Sequence, residues 1–391
     1  MRGVLAAIVA SIGYFGVTFA LACAQATSNP LLAYRLAPYD GRLSGRAAIA
    51  TATTDIADAS KRARGERLAR RALLQDPMAV PAITALGVNA EARGDIAAAR
   101  RLFHYAQLLT RRDQRTQLWA IEDAVRRDDV ADALRQHDIA LRTMPKMKEL
   151  LYPVLRQASA DDGIRPALVQ TLAKNPIWRD NFIDYVAGDK DSDPVAMASL
   201  FMALQRARVP VAATAQNRVV DVLLGAGKND SAWNYYALIR PGAVRERSRD
   251  PRFSGAGETP SQFDWVPSND NGIASSMSTG VFDFSVSPSI GGVLLRQDQL
   301  LPPGTYRLTG HTSGIDQPND ARPYWSLACQ NGKELGRVPL PDSAADNGVF
   351  SGTVTVPLAC PRQTLNLVAR PSDSVGGSSG QINRMELIPL P

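Results

Sequence analysis

Apolar residues follow three different patterns along the 391-residue chain. The first is an unbroken run: no charged residue lies between Gly3 and Tyr34, and Val4–Ala22 nearly reaches the roughly twenty apolar residues that a helix needs to span a bilayer. The second has the spacing of amphipathic helices, and the third is the two-residue alternation of β-strands. These patterns predict a multidomain chain, with one hydrophobic helix at 1–26, α-helical repeats over 30–245, a linker over 246–261 and an all-β sandwich over 262–391.

The hydrophobic N-terminal segment predicts export. Arg2 precedes it, which favours a cytoplasmic N-terminus and places the rest of the chain outside. We expect a periplasmic location, or one on the extracytoplasmic face of the inner membrane, anchored by residues 4–22 if the segment is retained. Small residues also provide signal-peptidase sites, so cleavage stays an alternative to anchoring. The candidate sites involve Ala20, Ala22, Ala24 and Ala26, and Cys23 only loosely resembles a lipidated cysteine.

A repeat of 34 residues organises the helical region. Ala72, Ala106 and Ala140 are spaced at this interval. Pro77 lies five residues after Ala72, and Pro145 lies five residues after Ala140. Between these positions the sequence has the pattern of paired amphipathic helices. Small residues at such positions let neighbouring helices approach closely.

One copy of this repeat resembles the tetratricopeptide repeat, because Leu86, Gly87, Ala99, Phe103 and Ala106 reproduce its Leu-Gly, Ala, Phe, Ala spacing. The next copy is degenerate, with Ala120, Ile121 and His137 in place of leucine, glycine and an aromatic residue. The resemblance implies a solenoid whose first helices line a groove for a peptide or helix of a protein partner. The alternative is that these are solvated helix positions without a ligand. The groove candidates are Thr84, Val88, Glu91, Arg115, Leu118 and Glu122.

Short alternating runs over 262–391 predict strands with one buried and one wet face. Phe282, Phe284 and Val286 share one parity, and Pro- and Gly-rich turns separate the runs. Cys329 and Cys360 each lie on the apolar side of their strand run, and an exported chain enters an oxidising compartment. We therefore predict a Cys329–Cys360 disulfide.

The order of FDW, QDQLLPPGTYRLTG and GQINRMELIPL resembles the jelly-roll sandwiches of carbohydrate-binding and galactose-binding-like modules. The resemblance implies that aromatic rings stack on sugars, with Trp265, Tyr324 and Trp325 as candidates. Adjacent strand residues point to opposite faces, and the cysteine parity places Trp325 inside and Tyr324 outside. The alternative is that all three rings serve packing or a partner interface.

Motifs for catalysis and cofactor binding are missing from the sequence, so we expect a non-enzymatic protein without cofactor or metal. Asp189, Asp191 and Asp193 begin like a calcium loop, but Pro194 and Leu200 replace its glycine and glutamate. A Ca²⁺ site in the sandwich has aspartates available, but their spacing does not require one. Those aspartates are Asp270, Asp316 and Asp320.

Charge is distributed unevenly: from Pro251 onward there are 9 Lys+Arg and 12 Asp+Glu, and the basic excess lies in the helical part. Its arginines are interleaved with acidic residues, and we expect no nucleic-acid partner. The architecture favours an envelope scaffold or adaptor, in which the repeats bind a protein and the sandwich binds glycan during exopolysaccharide assembly or export. The alternatives are a purely structural component whose sandwich contacts protein, and a glycan-processing enzyme with two opposed carboxylates.

Overall fold

The computed structural model describes residues 2–55, 58–189, 191–255, 259–278, 280–344 and 347–391. In these residues fourteen α-helices precede ten β-strands, which form two antiparallel sheets. The predicted fold class is therefore confirmed at this level: one apolar helix, a helical region and an all-β region. The chain divides into two compact units, Met1–Leu155 with Pro176–Trp178, and Arg156–Asn175 with Arg179–Pro391.

The first unit is helical. Its helices are α1 (Arg2–Gln25), α2 (Pro30–Leu36), α3 (Gly41–Thr53), α4 (Ala59–Gln75), α5 (Val80–Ala92), α6 (Ile96–Leu109), α7 (Gln114–Arg126) and α8 (Val130–Thr143). A 3₁₀ turn, Pro145–Met147, leads into α9 (Lys148–Ser159), within which the division into units falls.

The 34-residue period is visible in the helix bounds. Helices α5 and α7 begin at residues 80 and 114, and α6 and α8 begin at 96 and 130. The turns match as well: Gly94 and Asp128 both have a positive φ, and Asp95 and Asp129 both accept a hydrogen bond at the next helix N-terminus. Sequence periodicity thus fixes both the helices and the turns between them.

Close packing explains the small residues of the copy that contains Gly87, which matches the tetratricopeptide spacing best. A Cβ added to Gly87 would lie 2.9 Å from the ring of Phe103, which itself stacks on Trp119 with centroids 4.5 Å apart. In the next copy His137 takes the position of Phe103. It is buried, and its Nδ1 lies 2.8 Å from the carbonyl oxygen of Ala133.

The burial of His137 predicts that acid lowers the stability of the first unit. Burial lowers the pKa of its imidazole, whereas in the unfolded chain the pKa is about 6.5. Below that value the unfolded chain binds more protons than the folded one, so stability falls as pH falls. We expect His137→Leu to weaken this pH dependence, measured as the free energy of unfolding at pH 7.5 and pH 5.

His104→Leu is the matched control, because this side chain is exposed on α6 and meets water in the folded chain as in the unfolded one. An unchanged pH profile in His137→Leu would contradict the assignment.

The second unit contains the remaining helices and both sheets. The helices are α10 (Arg165–Ala173), α11 (Arg179–Gly188), α12 (Pro194–Arg206), α13 (Ala213–Gly225) and α14 (Asn229–Ile239). The strands are β1 (Val266–Pro267), β2 (Ile273–Ser278), β3 (Val281–Val286), β4 (Gly292–Gln299), β5 (Gly304–Ser313), β6 (Tyr324–Cys329), β7 (Glu334–Pro339), β8 (Val349–Val356), β9 (Gln363–Ala369) and β10 (Ser378–Pro389).

The strands form a first sheet in the order β1-β4-β9-β6-β7 and a second in the order β2-β3-β10-β5-β8. Inward-facing residues of both sheets share one hydrophobic core. It includes Leu294, Trp325 and Leu367 from the first sheet, and Phe282 and Leu308 from the second. The sheets therefore pack face to face as a sandwich.

The segment 246–261, predicted as a linker, contains packed residues, while residues 256–258 lie outside the described part. Ser248 exchanges hydrogen bonds with the backbone of Leu387 in β10. The buried Arg249 donates to the carbonyl oxygen of Phe263 at 2.8 Å and lies over the rings of Trp233 and Phe263. A composition rich in glycine, serine and proline does not distinguish a free linker from a loop that packs on its own unit.

Candidate functional site

Strand alternation gives the first sheet a polar outer face opposite its apolar inner face. The register places Arg296 of β4 opposite Asn366 of β9, and Ser326 of β6 opposite both Asn366 and Arg337 of β7. Tyr324 has the same parity as Ser326 on β6, so it also belongs to this surface. We call this surface the outer face; it comprises Arg296, Tyr324, Ser326, Arg337, Thr364 and Asn366, with Arg370 just beyond β9.

Tyr324 is half-buried on the outer face and has two cationic neighbours. The guanidinium carbon of Arg337 lies 4.1 Å from its ring centroid, and that of Arg370 lies 5.0 Å away. Arg337 also pairs with Glu334 at 2.8 Å, and Arg370 donates to the carbonyl oxygen of Asn319 at 3.3 Å. These contacts hold both guanidinium groups over the ring of Tyr324, so cations cover part of the ring.

Arg296 adds a third cation. Its side chain is exposed, and it makes no hydrogen bond or ion pair within 4 Å to any other residue that the structure describes. It lines a depression of about 350 Å³ together with Thr364 and Asn366. The outer face is thus locally cationic, although the chain from Pro251 onward carries more acidic than basic residues.

A buried polar cluster supports one end of the outer face. Arg362 donates from Nε to Asp298 at 2.9 Å and from Nη1 to the carbonyl oxygen of Leu224, near the end of α13, at 3.0 Å. Thr364 donates to the other carboxylate oxygen of Asp298 at 2.9 Å. Burial raises the pKa of the nearby Asp221 carboxyl to about 6. This cluster fixes β4 and β9 against α13 and leaves the surface from Arg296 to Arg337 accessible.

The two predicted tryptophans lie in the core. Trp265 is 1% exposed and Trp325 is 0% exposed, and their ring centroids are 5.7 Å apart. Trp265 donates from Nε1 to the carbonyl oxygen of Asp250 at 2.9 Å. Because both rings are covered, neither can stack on a sugar. Of the three candidate rings, Tyr324 alone reaches the surface, as its strand parity predicts.

The predicted disulfide is confirmed: Cys329 and Cys360 are bonded, with their Cα atoms 5.7 Å apart. It joins the end of β6 to the turn before β9. Cys329 also lines the depression beside Arg296. The bridge therefore fixes one wall of the outer face.

The predicted groove residues lie on α5 and α7, but they differ in accessibility. Thr84 is buried, and its hydroxyl lies 3.3 Å from both Asp113 and Thr116 at the start of α7. Glu91 pairs with Arg126 at 2.8 Å. Thr84 is therefore not part of a surface groove. It is buried, and its hydroxyl links the hairpin of α5 to the hairpin of α7.

The other groove candidates keep some exposure. Arg115 and Glu122 are exposed on α7, while Leu118 and Val88 are half-buried. Val88 packs against the cluster that contains Phe103. The spacing of three and four residues between Arg115, Leu118 and Glu122 places them on one face of α7.

Sequence reasoning missed a second depression, of about 430 Å³, formed by α6, α7 and α8. Arg100 donates to both carboxylate oxygens of Asp123, at 3.0 and 2.9 Å, and this contact lowers the pKa of Asp123. Arg127 bridges Asp123 and Asp132. Only the four-residue spacing of Asp123 and Arg127 was visible in the sequence. Both aspartates are thus held by arginines, which is typical of a structural ion-pair network.

The described residues contain no group of three or more His, Cys, Asp or Glu side chains that could hold a metal ion.

No family model and no curated protein matches the sequence. Matching solved structures include a glycosylation-associated protein complex from Streptococcus agalactiae, with 13% identity and a TM-score of 0.23 over 32% of this chain and 44% of that chain. The match to accessory secretory proteins 1, 2 and 3 of Streptococcus pneumoniae has 11% identity and a TM-score of 0.25, over 39% of this chain and 100% of that chain.

A third match is the enzymatically active domain of tailspike protein 4 from bacteriophage CBA120, with 14% identity and a TM-score of 0.24 over 35% of this chain and 21% of that chain. The chain thus spans less than half of the first structure and about a fifth of the third. Similarity at these TM-scores does not assign the chain to a family.

Proposed function

We propose that this chain is an exported, non-enzymatic adaptor of the cell envelope whose outer face binds an acidic polysaccharide. The observation that carries the proposal is the grouping of Tyr324 with Arg296, Arg337 and Arg370 on one accessible sheet face. The helical part, with Arg115 and Glu122 exposed on α7, is available to hold a protein partner. Such a chain would connect a polymer to envelope machinery during its assembly or export.

The chemistry of the outer face suits an acidic sugar polymer. A guanidinium group forms two parallel hydrogen bonds with a carboxylate, and Arg296 has its donors free for such a contact within the described chain. The part of the Tyr324 ring that Arg337 and Arg370 leave uncovered provides apolar area for the C–H groups of a pyranose, and Asn366 provides a short polar group beside it. A neutral polymer would use the ring and the amide but leave Arg296 without an anionic partner.

The same face does not resemble a hydrolytic centre. Glycoside hydrolysis uses two carboxyl groups, one of which stays protonated to act as an acid. Glu334 is bound by Arg337, and this hydrogen bond lowers the pKa of the glutamate, so its carboxylate stays ionised. Asp298 is buried and already binds Arg362 and Thr364. We therefore favour binding over catalysis.

The proposal predicts specific, charge-dependent binding. We expect the full chain in lipid nanodiscs to bind a polyuronate such as alginate, and to bind uncharged dextran of similar length at least tenfold more weakly. Arg296→Ala should weaken alginate binding about tenfold, since one charged hydrogen-bonded contact contributes about 1.5–3 kcal/mol. Tyr324→Ala should weaken it to a similar extent, about tenfold, because it removes the ring over which Arg337 and Arg370 lie. Affinity measured on immobilised polymer at two salt concentrations tests this.

Arg307→Ala is the matched control, because Arg307 is an exposed arginine on β5 of the second sheet. Equal weakening by Arg307→Ala would indicate non-specific attraction and contradict the proposal, as would equal binding of dextran and alginate. Absence of binding to any polymer would favour the alternative of a protein-only assembly component.

A further inference from the structure

The end of α1 belongs to the core of the first unit. Ala22 is 0% exposed, and Ala26 is also buried. They pack in one cluster with Ala33 of α2, with Ala37, which directly follows α2, and with Leu43 of α3. The apolar helix is therefore continuous with the folded unit rather than joined to it by a free segment.

The chain between α1 and α2 is also ordered by hydrogen bonds. The backbone N–H of Asn29 donates to the carbonyl oxygen of Gln25 at 2.9 Å, and the Asn29 side chain accepts from the N–H of Leu32 at 3.1 Å. Arg46 of α3 donates to the hydroxyl of Thr27 at 3.0 Å. Cleavage after Ala22, Ala24 or Ala26 would thus cut inside a packed region and remove buried side chains from it.

The apolar span of α1 is not buried by the protein. The most apolar 18-residue window within Gly3–Gln25 has a mean hydropathy of 2.1, and none of that window is buried within the protein. A helix of this length extends about 35 Å, which is sufficient for the hydrocarbon core of a bilayer.

Apolar residues of the neighbouring α2 segment extend this uncovered surface. Leu31, Leu32 and Tyr39 are 45%, 39% and 51% exposed. The ring of Tyr39 contacts that of Phe15 on α1, with centroids 6.3 Å apart. Phe15 is ten residues before the end of α1, or about 15 Å along the helix, so Tyr39 lies beside the apolar span itself. Phe15 is thus near the middle of the span, so if α1 crosses a bilayer, the ring of Tyr39 reaches below the headgroups, while α2 lies nearer the boundary.

We propose that α1 is retained as a membrane anchor, that α2 lies in the lipid interface and that the ring of Tyr39 reaches into the bilayer beside α1. Leu31, Leu32 and Tyr39 then pack against acyl chains and headgroups, as apolar and aromatic residues do at this depth. Arg35, exposed on the same side of α2, extends toward the headgroups. The first unit is thereby held directly on the membrane surface instead of on a flexible tether. This inference does not depend on glycan binding.

Two measurements on the full chain test the proposal. The first is the intact mass of protein extracted from membranes of an expressing Gram-negative cell, where we expect the uncleaved N-terminal segment. The second uses a Cys23→Ser background carrying Leu32→Cys or Tyr39→Cys, labelled with a fluorophore in nanodiscs that contain spin-labelled lipid. We expect lipid to quench both labels several-fold more strongly than a label at Val125→Cys.

Val125 is a suitable control because it is an exposed apolar residue near the end of α7. A mature chain that begins after residue 22, 24 or 26 would overturn the proposal. Equal quenching at Leu32, Tyr39 and Val125 would also overturn it, because α2 would then lie in water. All three labelled positions are exposed, so the substitutions leave the core intact.

Discussion

Replacing Arg362 with alanine is expected to lower the free energy of unfolding of the second unit by about 3–5 kcal/mol, because it leaves a buried carboxylate without its cation. The pair is well shielded, since the side chains of Arg362 and Asp298 are 11% and 7% exposed. Arg362 also donates to Gln262 at 2.6 Å and to Leu224 at 3.0 Å. The substitution therefore removes the common partner of a strand, a loop and a helix end.

The effect of Arg362→Ala can be measured by hydrogen exchange of strand amides in β4 and β9 within the full chain. Arg384→Ala is the matched control: Arg384 is about half-exposed and pairs with Glu386 at 2.7 Å, so its loss should cost less than about 1 kcal/mol. If Arg362→Ala were as mild as the control, Asp298 would have to reach water, and the described cluster would not fix β4 and β9 against α13.

Removal of the disulfide is expected to cost about 3–4 kcal/mol, the loop-closure free energy for a separation of 31 residues. We expect Cys329→Ser with Cys360→Ser, or a reductant, to lower the urea midpoint of the second unit. The same change should weaken alginate binding, because Cys329 lines the depression beside Arg296.

Cys23→Ser controls for general effects of thiol loss, since Cys23 is a free, exposed cysteine. Its unfolding midpoint should equal that of the unmodified chain. A midpoint that did not respond to reductant would show that the bridge contributes nothing to stability in solution.

The helical elements were predictable because their signals are local. A 34-residue period in alanines and turn residues was enough to place α5 to α8, whose starts repeat at the same interval. Strand parity likewise separated Tyr324 from Trp325. Both signals depend on residues that are neighbours in sequence.

The features that could not be predicted from the sequence depend on contacts between residues that are far apart in the chain. Arg362 binds groups 64, 100 and 138 residues away, and no periodicity relates such positions. Trp265 precedes a two-residue strand, which is too short for alternation to assign its face. Thr84 is buried by the next hairpin, although its position within α5 fits a groove. In each case tertiary packing, and not local pattern, decides exposure.

The two proposals together predict an adaptor that is held at the membrane and carries a polymer-binding sheet. The buried cluster around Arg362 and the disulfide both support that sheet at its depression. Under these proposals, binding and stability depend on the same strands, β4, β6 and β9. Substitutions in the supporting residues should affect both, whereas Arg296 and Tyr324 should affect binding alone.

The most direct test of the central claim is cross-link mapping with a short oligouronate that carries a photoactivatable group, bound to the full chain in nanodiscs. We expect cross-linked peptides from β4, β6, β7 and β9, with the signal displaced by unlabelled alginate. Cross-links confined to the helices, or to β5 and β8 of the second sheet, would contradict the assignment of the outer face as the polysaccharide site.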